Sequence, residues 1–290
     1  MAAALSHGKS QLSEEAQHRI EAFIRSQQLD DGSFMDKNGC PDVYYTAFGW
    51  LLCYVFGIPL PRATAGNYLS TLSTENLDLI HYAAYIRCRL MYRLLTQHRL
   101  TFLTTTLFPA FFKKDAIQSK RMPSLIYPHD DADAPYSLFV RLSLLEDAGK
   151  RIKNPKEWLQ TLRAYQIQDG GYSNLKGNII IVSINATAAA LCILKQLKSD
   201  KADSVAHFLL QQQHASGGFS ASPDAPLPDL LSTATTLFAL NTNGLKPNLS
   251  ARDFIEAHWN EHTGGFSATL FDETSDVEYV FYGLLALGSL

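Results

Sequence analysis

Apolar positions along the chain fall into two kinds of segment, and the two kinds alternate. Ala47 to Phe56, Ala186 to Leu197 and Thr235 to Leu240 are almost uniformly apolar, as a helix enclosed on all sides must be. Glu14 to Gln28, Pro155 to Gln166, Lys201 to Gln213 and Ser250 to Trp259 are amphipathic, the pattern of a helix half in water. A glycine turn follows each amphipathic segment. It reads Gln-Leu-Asp-Asp-Gly-Ser-Phe (Gln28 to Phe34), Gln-Ile-Gln-Asp-Gly-Gly-Tyr (Gln166 to Tyr172), Gln-His-Ala-Ser-Gly-Gly-Phe (Gln213 to Phe219) and Asn-Glu-His-Thr-Gly-Gly-Phe (Asn260 to Phe266). The closing aromatics are 138, 47 and 47 residues apart, and 138 is three times 46. Two copies near positions 80 and 126 have therefore lost their glycines, and six units of about 46 residues fill the chain. A fixed period of this length marks a repeat architecture.

A second register appears where the enclosed segments begin. Asp42-Val-Tyr-Tyr-Thr-Ala, Asp78-Leu-Ile-His-Tyr-Ala, Asp131-Ala-Asp-Ala-Pro-Tyr, Ser183-Ile-Asn-Ala-Thr-Ala, Asp229-Leu-Leu-Ser-Thr-Ala and Asp276-Val-Glu-Tyr-Val-Phe align without gaps. Asp or Ser at the head of each suits a helix N-cap, because its oxygen accepts an otherwise unpaired N–H of the first turn. Each unit thus supplies an outer, half-wet helix and an inner, enclosed one. No strand pattern competes. Six such hairpins predict an all-α (α/α)6 barrel, one domain over residues 1–290, with the inner helices around a central cavity and their Asp-bearing starts together at one end.

Composition adds limits. Net charge is -3, from 25 basic and 28 acidic residues without a long run of either sign, which argues against a nucleic-acid surface. Cys40, Cys53, Cys88 and Cys192 are scattered, as in a reduced, cytoplasmic protein rather than a disulfide frame or zinc site. No secretion signal opens the chain. The longest apolar run, Ala47 to Leu60, is shorter than the roughly 20 residues a bilayer needs, so membrane contact is expected to be peripheral at most. Oligomeric state is not legible.

The glycine turn followed by a Thr-Ala inner-helix start resembles the prenyltransferase and squalene-cyclase repeat, over about the whole chain. The resemblance implies an apolar cavity for an isoprenoid, while the chemistry depends on the helix starts. Protein prenyltransferases hold zinc there, with a Cys two residues after an Asp and a His in the last repeat, since sulfur and nitrogen bind zinc tightly once deprotonated. Here the third positions are Tyr44, Ile80, Asp133, Asn185, Leu231 and Glu278, and Tyr279 stands at the place of the histidine. Neither a metal nor another cofactor is expected. Class II terpene cyclases carry Asp-x-Asp-Asp-Thr-Ala, whose middle Asp is the proton donor. Asp131 matches the first Asp and Asp133 the catalytic one, whereas Ala134 and Pro135-Tyr136 depart from the pattern.

Protonating an alkene needs a carboxyl kept neutral by burial or by a neighbouring carboxylate. Asp131, Asp133 and adjacent Asp130 supply such a cluster, with His129 nearby. The resulting cation is shielded by aromatic faces, at about 0.5–2 kcal/mol each. Tyr44, Trp50, Tyr85, Tyr136 and Tyr279 are candidate substrate-binding residues, with Asn185 and Glu278 as polar ones. Asp131 also suits a cap and Glu278 a first-turn acid, so a structural role is open to both. The arginines from Arg87 to Arg99 fit either a solvated face or an anion site. Leu103 to Arg121 departs from the repeat, as a lid or membrane-touching flap would.

The expectation is an enzyme. It resembles the small group of bacterial monodomain class II cyclases, which implies metal-free protonation of a linear prenyl chain, such as a prenylated hydroxybenzoic acid, and closure to a meroterpenoid. The rival is a zinc-less, prenyltransferase β-like isoprenoid-binding protein without cyclase activity. A carbohydrate-active barrel using Asp133 and Glu278 ranks last, because it shares the architecture but not the turn.

Overall fold

A computed structural model describes residues 1–75, 77–96, 133–147, 150–167, 170–176 and 181–290. Among the described residues the chain is helical, with α1 Ala2–Ser10, α2 Glu14–Ser26, α3 Val43–Phe56, α4 Arg62–Thr71, α5 Leu79–Thr96, α6 Pro135–Asp147, α7 Pro155–Arg163, α8 Ile184–Gln196, α9 Ala202–Gln211, α10 Leu230–Thr242, α11 Arg252–Ala257 and α12 Val277–Leu287. Two short antiparallel ladders interrupt the helices: β1 Phe34–Met35 with β2 Pro41–Asp42, and β3 Trp259–Asn260 with β4 Gly265–Phe266. They were not expected from the pattern. β3 and β4 are the last glycine turn folded back on itself, whereas β1 and β2 join the end of the first turn at Phe34 to the helix cap at Asp42. Isolated bridges Gln28–Phe34, Gln166–Tyr172 and Gln213–Phe219 repeat the glycine-turn hairpin.

The described residues of Met1–Ile20, Tyr127–Phe139 and Lys153–Leu290 form one compact unit, and those of Glu21–Ile126 and Val140–Ile152 a second. In the first, α8 packs on α9 and α10, and α10 on α12, while α1 packs on α12. The chain's two ends meet closely. A methyl group added at Gly8 would strike the Leu284 carbonyl, and one added at Gly288 the Ala4 carbonyl. In the second unit α3 and α4 both pack on α5, and Leu79, Ala83, Ile86, Val140 and Leu144 form a buried cluster.

One joint recurs at the head of the inner helices. Asp42, Ser183, Asp229 and Asp276 each accept first-turn N–H groups through the side chain, as the N-cap register requires. Four residues later stand Thr46, Thr187 and Thr233, all fully buried. Each hydroxyl donates to the cap residue's carbonyl, at 2.6 Å from Asp42 and 2.7 Å from Ser183 and Asp229. The same oxygens accept the N–H of Phe34, Tyr172 and Phe219, every time at 2.9 Å. The turn is thereby fixed to the helix it precedes. Within it, the first glycine has positive φ in all four copies: 82° at Gly32, 95° at Gly170, 90° at Gly217 and 75° at Gly264. At Gly217 an added methyl would also strike the Ser250 carbonyl, so both backbone and space demand glycine.

The third unit departs from this plan. Its helix begins at Pro135, not one residue after the aligned cap. Proline suits the first helical position but keeps the residue before it out of the α region, so Ala134 cannot extend the helix upstream. Asp133 consequently sits in a turn ahead of α6 instead of in its first turn.

Thr233→Val keeps the shape of the side chain and leaves the buried Phe219 N–H without its partner. The expected loss is about 1–3 kcal/mol. In denaturant unfolding this lowers the midpoint with an unchanged slope, whereas Thr242→Val, on the same helix but bonded only to Ala239, changes it far less.

Candidate functional site

In the first unit, the starts of α8, α10 and α12 set polar side chains into otherwise apolar helices. Asn185, in the first turn of α8 behind cap Ser183, donates through Nδ2 to Ser232 Oγ at 3.3 Å. Its Oδ1 lies 2.8 Å from the Thr235 hydroxyl, so one amide bridges α8 to α10. Ser232 in turn donates its hydroxyl to Asp229 Oδ2 at 2.8 Å and its N–H to Oδ1 at 2.7 Å. On α12, Glu278 is 9 % exposed and cap Asp276 is 7 % exposed. Burial raises the Tyr279 phenol well above its usual range, followed by the nearby Glu278, Asp276, Asp229 and Asp272 carboxylates. Burial also raises the Asp229 carboxyl, against the Ser232 hydrogen bonds that lower it. The arrangement is a crowded acidic rim rich in acceptors. Beside it the Tyr282 ring lies 6.1 Å from Tyr279 and 5.2 Å from Phe281, faces of the kind that attract cations.

His258, at the end of α11, completes this neighbourhood. It is 1 % exposed, its ring lies 4.4 Å from that of Phe254, and its Nδ1 is 2.8 Å from the Phe254 carbonyl. Nε2 has no hydrogen-bond partner among the described residues. Burial holds the imidazole below its ordinary value, against the Phe254 hydrogen bond and the Asp229 charge, both of which raise it.

Asn185, Glu278 and Tyr279 are therefore brought to one set of helix starts. Asp133 is exposed, and Tyr136 is 36 % exposed with its backbone N–H donating to Asn174 Oδ1 at 3.3 Å. Three other candidates belong to the second unit. Tyr44 meets Tyr45 and Phe48 edge-on, at 5.6 and 4.9 Å. Tyr85 lines a cavity between α4 and α5. Trp50 is fully buried, and its indole N–H donates to the Gly32 carbonyl at 2.8 Å, so it braces the first glycine turn. His81 lies 2.8 Å from the carboxylate of Asp78, the residue that caps its own helix. Asp131, Asp130, His129 and the segment Leu103 to Arg121 lie outside the described residues.

Sequence reasoning did not single out Asp229, Ser232, Thr235 or His258 as site residues. The available signal was positional. Ser232 and Thr235 are polar interruptions in an apolar helix, 47 and 50 residues after Asn185, close to one repeat period.

The profile of the prenyltransferase alpha-alpha toroid domain matches residues 2–89, 134–206 and 201–252. No curated protein sequence matches the chain. Among solved structures 16 chains match. One is Candida albicans protein geranylgeranyltransferase-I complexed with GGPP, aligned over 99 % of this chain and 82 % of its own at 16 % identity and a TM-score of 0.45. The zinc of the prenyltransferase resemblance finds no matching donors. None of the third helix-start positions is a cysteine, and a phenol kept protonated by burial stands at the histidine's place. Among the described residues no three His, Cys, Asp or Glu side chains are grouped to hold a metal ion, no helix is long and apolar enough to cross a membrane, and no disulfide joins the cysteines.

The depressed His258 and raised Asp229 act on stability with opposite signs. For His258 the unfolded chain takes up the proton first, so stability is full above its ordinary value of 6.5 and falls as pH drops below it. For Asp229 the folded state holds the proton more tightly, so its contribution is present below 3.8 and is lost as pH rises through the elevated value. Denaturant midpoints compared at pH 7 and just below 6 should therefore fall less in His258→Gln than in the parent. An identical fall would mean that His258 does not sense its burial.

Proposed function

Since the chain belongs to the prenyltransferase alpha-alpha toroid family, we propose that it binds an isoprenoid, with the hydrocarbon chain against the inner helices and an uncharged end at the Asn185–Glu278 cluster. The observation that carries this reading is the run of half-buried and buried polar groups on three successive inner helices, from Asn185 through Ser232 and Asp229 to Glu278. Apolar helix walls favour the chain through burial of hydrocarbon, at about 0.8 kcal/mol per CH₂. The acidic rim accepts hydrogen bonds and repels a diphosphate. Without zinc donors the transfer of a prenyl group to a thiol has no support, so the ligand is held or rearranged.

A second reading is the class II cyclase. Glu278, a buried first-turn acid, favours it, as does Asp133 close ahead of α6. In that chemistry a neutral carboxyl protonates the terminal alkene carbon, further double bonds attack the tertiary cation in turn, and loss of a proton ends the cascade and restores the acid. The product is an isomer of its substrate. Asp133 is exposed ahead of its helix, outside the enclosed inner-helix wall, which supports the binding reading.

Both readings are tested in one experiment. Protein in EDTA is titrated with farnesol, geranylgeraniol, geranylgeranyl diphosphate and farnesylated hydroxybenzoate, following thermal midpoint and, by mass spectrometry and NMR, product. The expected result is stabilisation by the uncharged ligands beyond that by the diphosphate, reduced about fivefold in affinity by Asn185→Ala. An isomer of unchanged mass, lost in Glu278→Gln or Asp133→Asn, establishes the cyclase. No stabilisation by any prenyl ligand overturns both.

A further inference from the structure

The second unit holds a cavity of about 370 Å³ between α4 and α5, within the usual range for small-molecule sites. Gly66, Leu69 and Ser70 line it from α4, and Tyr85, Arg89 and Tyr92 from α5, each set on one helix face. Arg93 lines it as well and is already engaged. Tyr92 donates its hydroxyl to the Arg62 carbonyl at 3.0 Å, which ties α5 to the start of α4. A methyl group added at Gly66 would come within 2.7 Å of that hydroxyl, so glycine leaves Tyr92 room along the wall. Arg89 and Tyr85 stand one helical turn apart and work as a pair, both half-buried. The Arg89 guanidinium lies 5.7 Å from the centre of the Tyr85 ring, and its Nη1 donates to the Tyr85 hydroxyl at 3.3 Å. That bond uses one guanidinium N–H and leaves the others, and no carboxylate pairs with Arg89 among the described residues. The phenol accepts in this bond and so has its own proton to give.

We propose that this cavity binds a small monocarboxylic acid with an apolar or aromatic body, its carboxylate held by Arg89 and the Tyr85 hydroxyl. A carboxylate is a planar pair of acceptor oxygens, and donors 3.3 Å apart can each meet one of them. Its single charge needs a single guanidinium. A phosphate monoester brings about −1.5 to −2 at neutral pH, which Arg89 alone leaves partly uncompensated. Stacking on the Tyr85 ring holds the guanidinium in place, so less side-chain freedom is lost when a ligand arrives. Ser70 donates to the Asn67 carbonyl at 2.7 Å, which leaves the recognition of charge to Arg89 and Tyr85. Leu69 and the tyrosine rings offer an apolar wall that acetate would leave unused. The site stands apart from the isoprenoid reading, because none of its residues belongs to the Asn185–Glu278 cluster.

The test is calorimetric titration of the full chain with phenylacetate, its neutral counterpart phenylacetamide, acetate and phenyl phosphate. It is repeated with Arg89→Gln, Tyr85→Phe and, as a control in the first unit, Arg252→Gln. Phenylacetate is expected to saturate one site, about tenfold more tightly than phenylacetamide or acetate and more weakly as salt is raised. Arg89→Gln should weaken it about tenfold and Tyr85→Phe about threefold without lowering the ligand-free thermal midpoint, and the control should not weaken it. The proposal is overturned if phenylacetate does not saturate, if phenylacetamide or phenyl phosphate binds as tightly, or if neither variant weakens binding. Should Arg89→Gln fail to fold, Arg89→Lys, which keeps the charge but loses the fork, takes its place beside Tyr85→Phe. Unweakened binding in both then overturns the proposal.

Discussion

The hydroxyl of a buried threonine, in three of the repeats, is the joint that ties the glycine turn to the inner helix. At Thr46, Thr187 and Thr233 a single oxygen both gives its proton to the cap residue's carbonyl and receives the N–H of the turn aromatic. A buried backbone N–H must be paired, and the short hairpin of the turn leaves this one over, so the side chain of the following helix takes it. The glycine turn is locked to the inner helix, and the aromatic is driven into the core. Phe34, Tyr172 and Phe219 are accordingly among the largest buried side chains. In the last unit Val280 stands at the threonine's place, and the turn is held by a two-residue ladder in which Trp259 faces Phe266 and the Ser267 N–H donates to the His258 carbonyl.

Where it occurs, such a joint fixes the turn to an inner helix that one repeat cannot bury alone, and packing against neighbouring repeats supplies the remaining burial. The backbones of α1 and α12 nearly touch, with Gly8 and Gly288 at the places where a side chain would not fit. Where the plan is broken the cause is equally local. Pro135 starts its helix where a proline can, and the carboxyl of Asp133 is left ahead of the helix.

The turns, the caps and the alternation of outer and inner helices were legible because they rest on short-range chemistry. Glycine at positive φ, an oxygen at an N-cap and an unbroken apolar run each declare themselves within a few residues. Asp133 aligns with the third helix-start position in sequence yet lies ahead of its helix, since a gapless alignment takes no account of the backbone restriction that Pro135 imposes. The Asn185–Ser232–Asp229 network was missed for another reason. Its members are a repeat apart in the chain, and each alone reads as a minor polar residue in an apolar helix. Only the packing of α8 against α10 turns them into one hydrogen-bonded group. Trp50 shows the converse error available to sequence reasoning, as its aromatic character suggests a cavity wall while its indole N–H is committed to Gly32.

Electrostatics at the inner-helix starts then narrows the chemistry. Helix N-termini stabilise negative charge, by about 0.3–1 kcal/mol each at exposed sites, and so tolerate a collection of carboxylates that would otherwise repel one another. Burial raises Asp229 and lifts Tyr279 well above its usual range, and at Tyr279 the neighbouring carboxylates add to the effect of burial. A site in that condition gains from anything that brings in positive charge or a proton and loses from anything that brings in an anion. A prenyl diphosphate would add two or more negative charges to it. A neutral isoprenoid adds none, and a carbocation formed from one is attracted both by the carboxylates and by the rings of Tyr279 and Tyr282. On the proposed isoprenoid reading, the same electrostatics favours an uncharged ligand at rest and a cationic species in any reaction that follows.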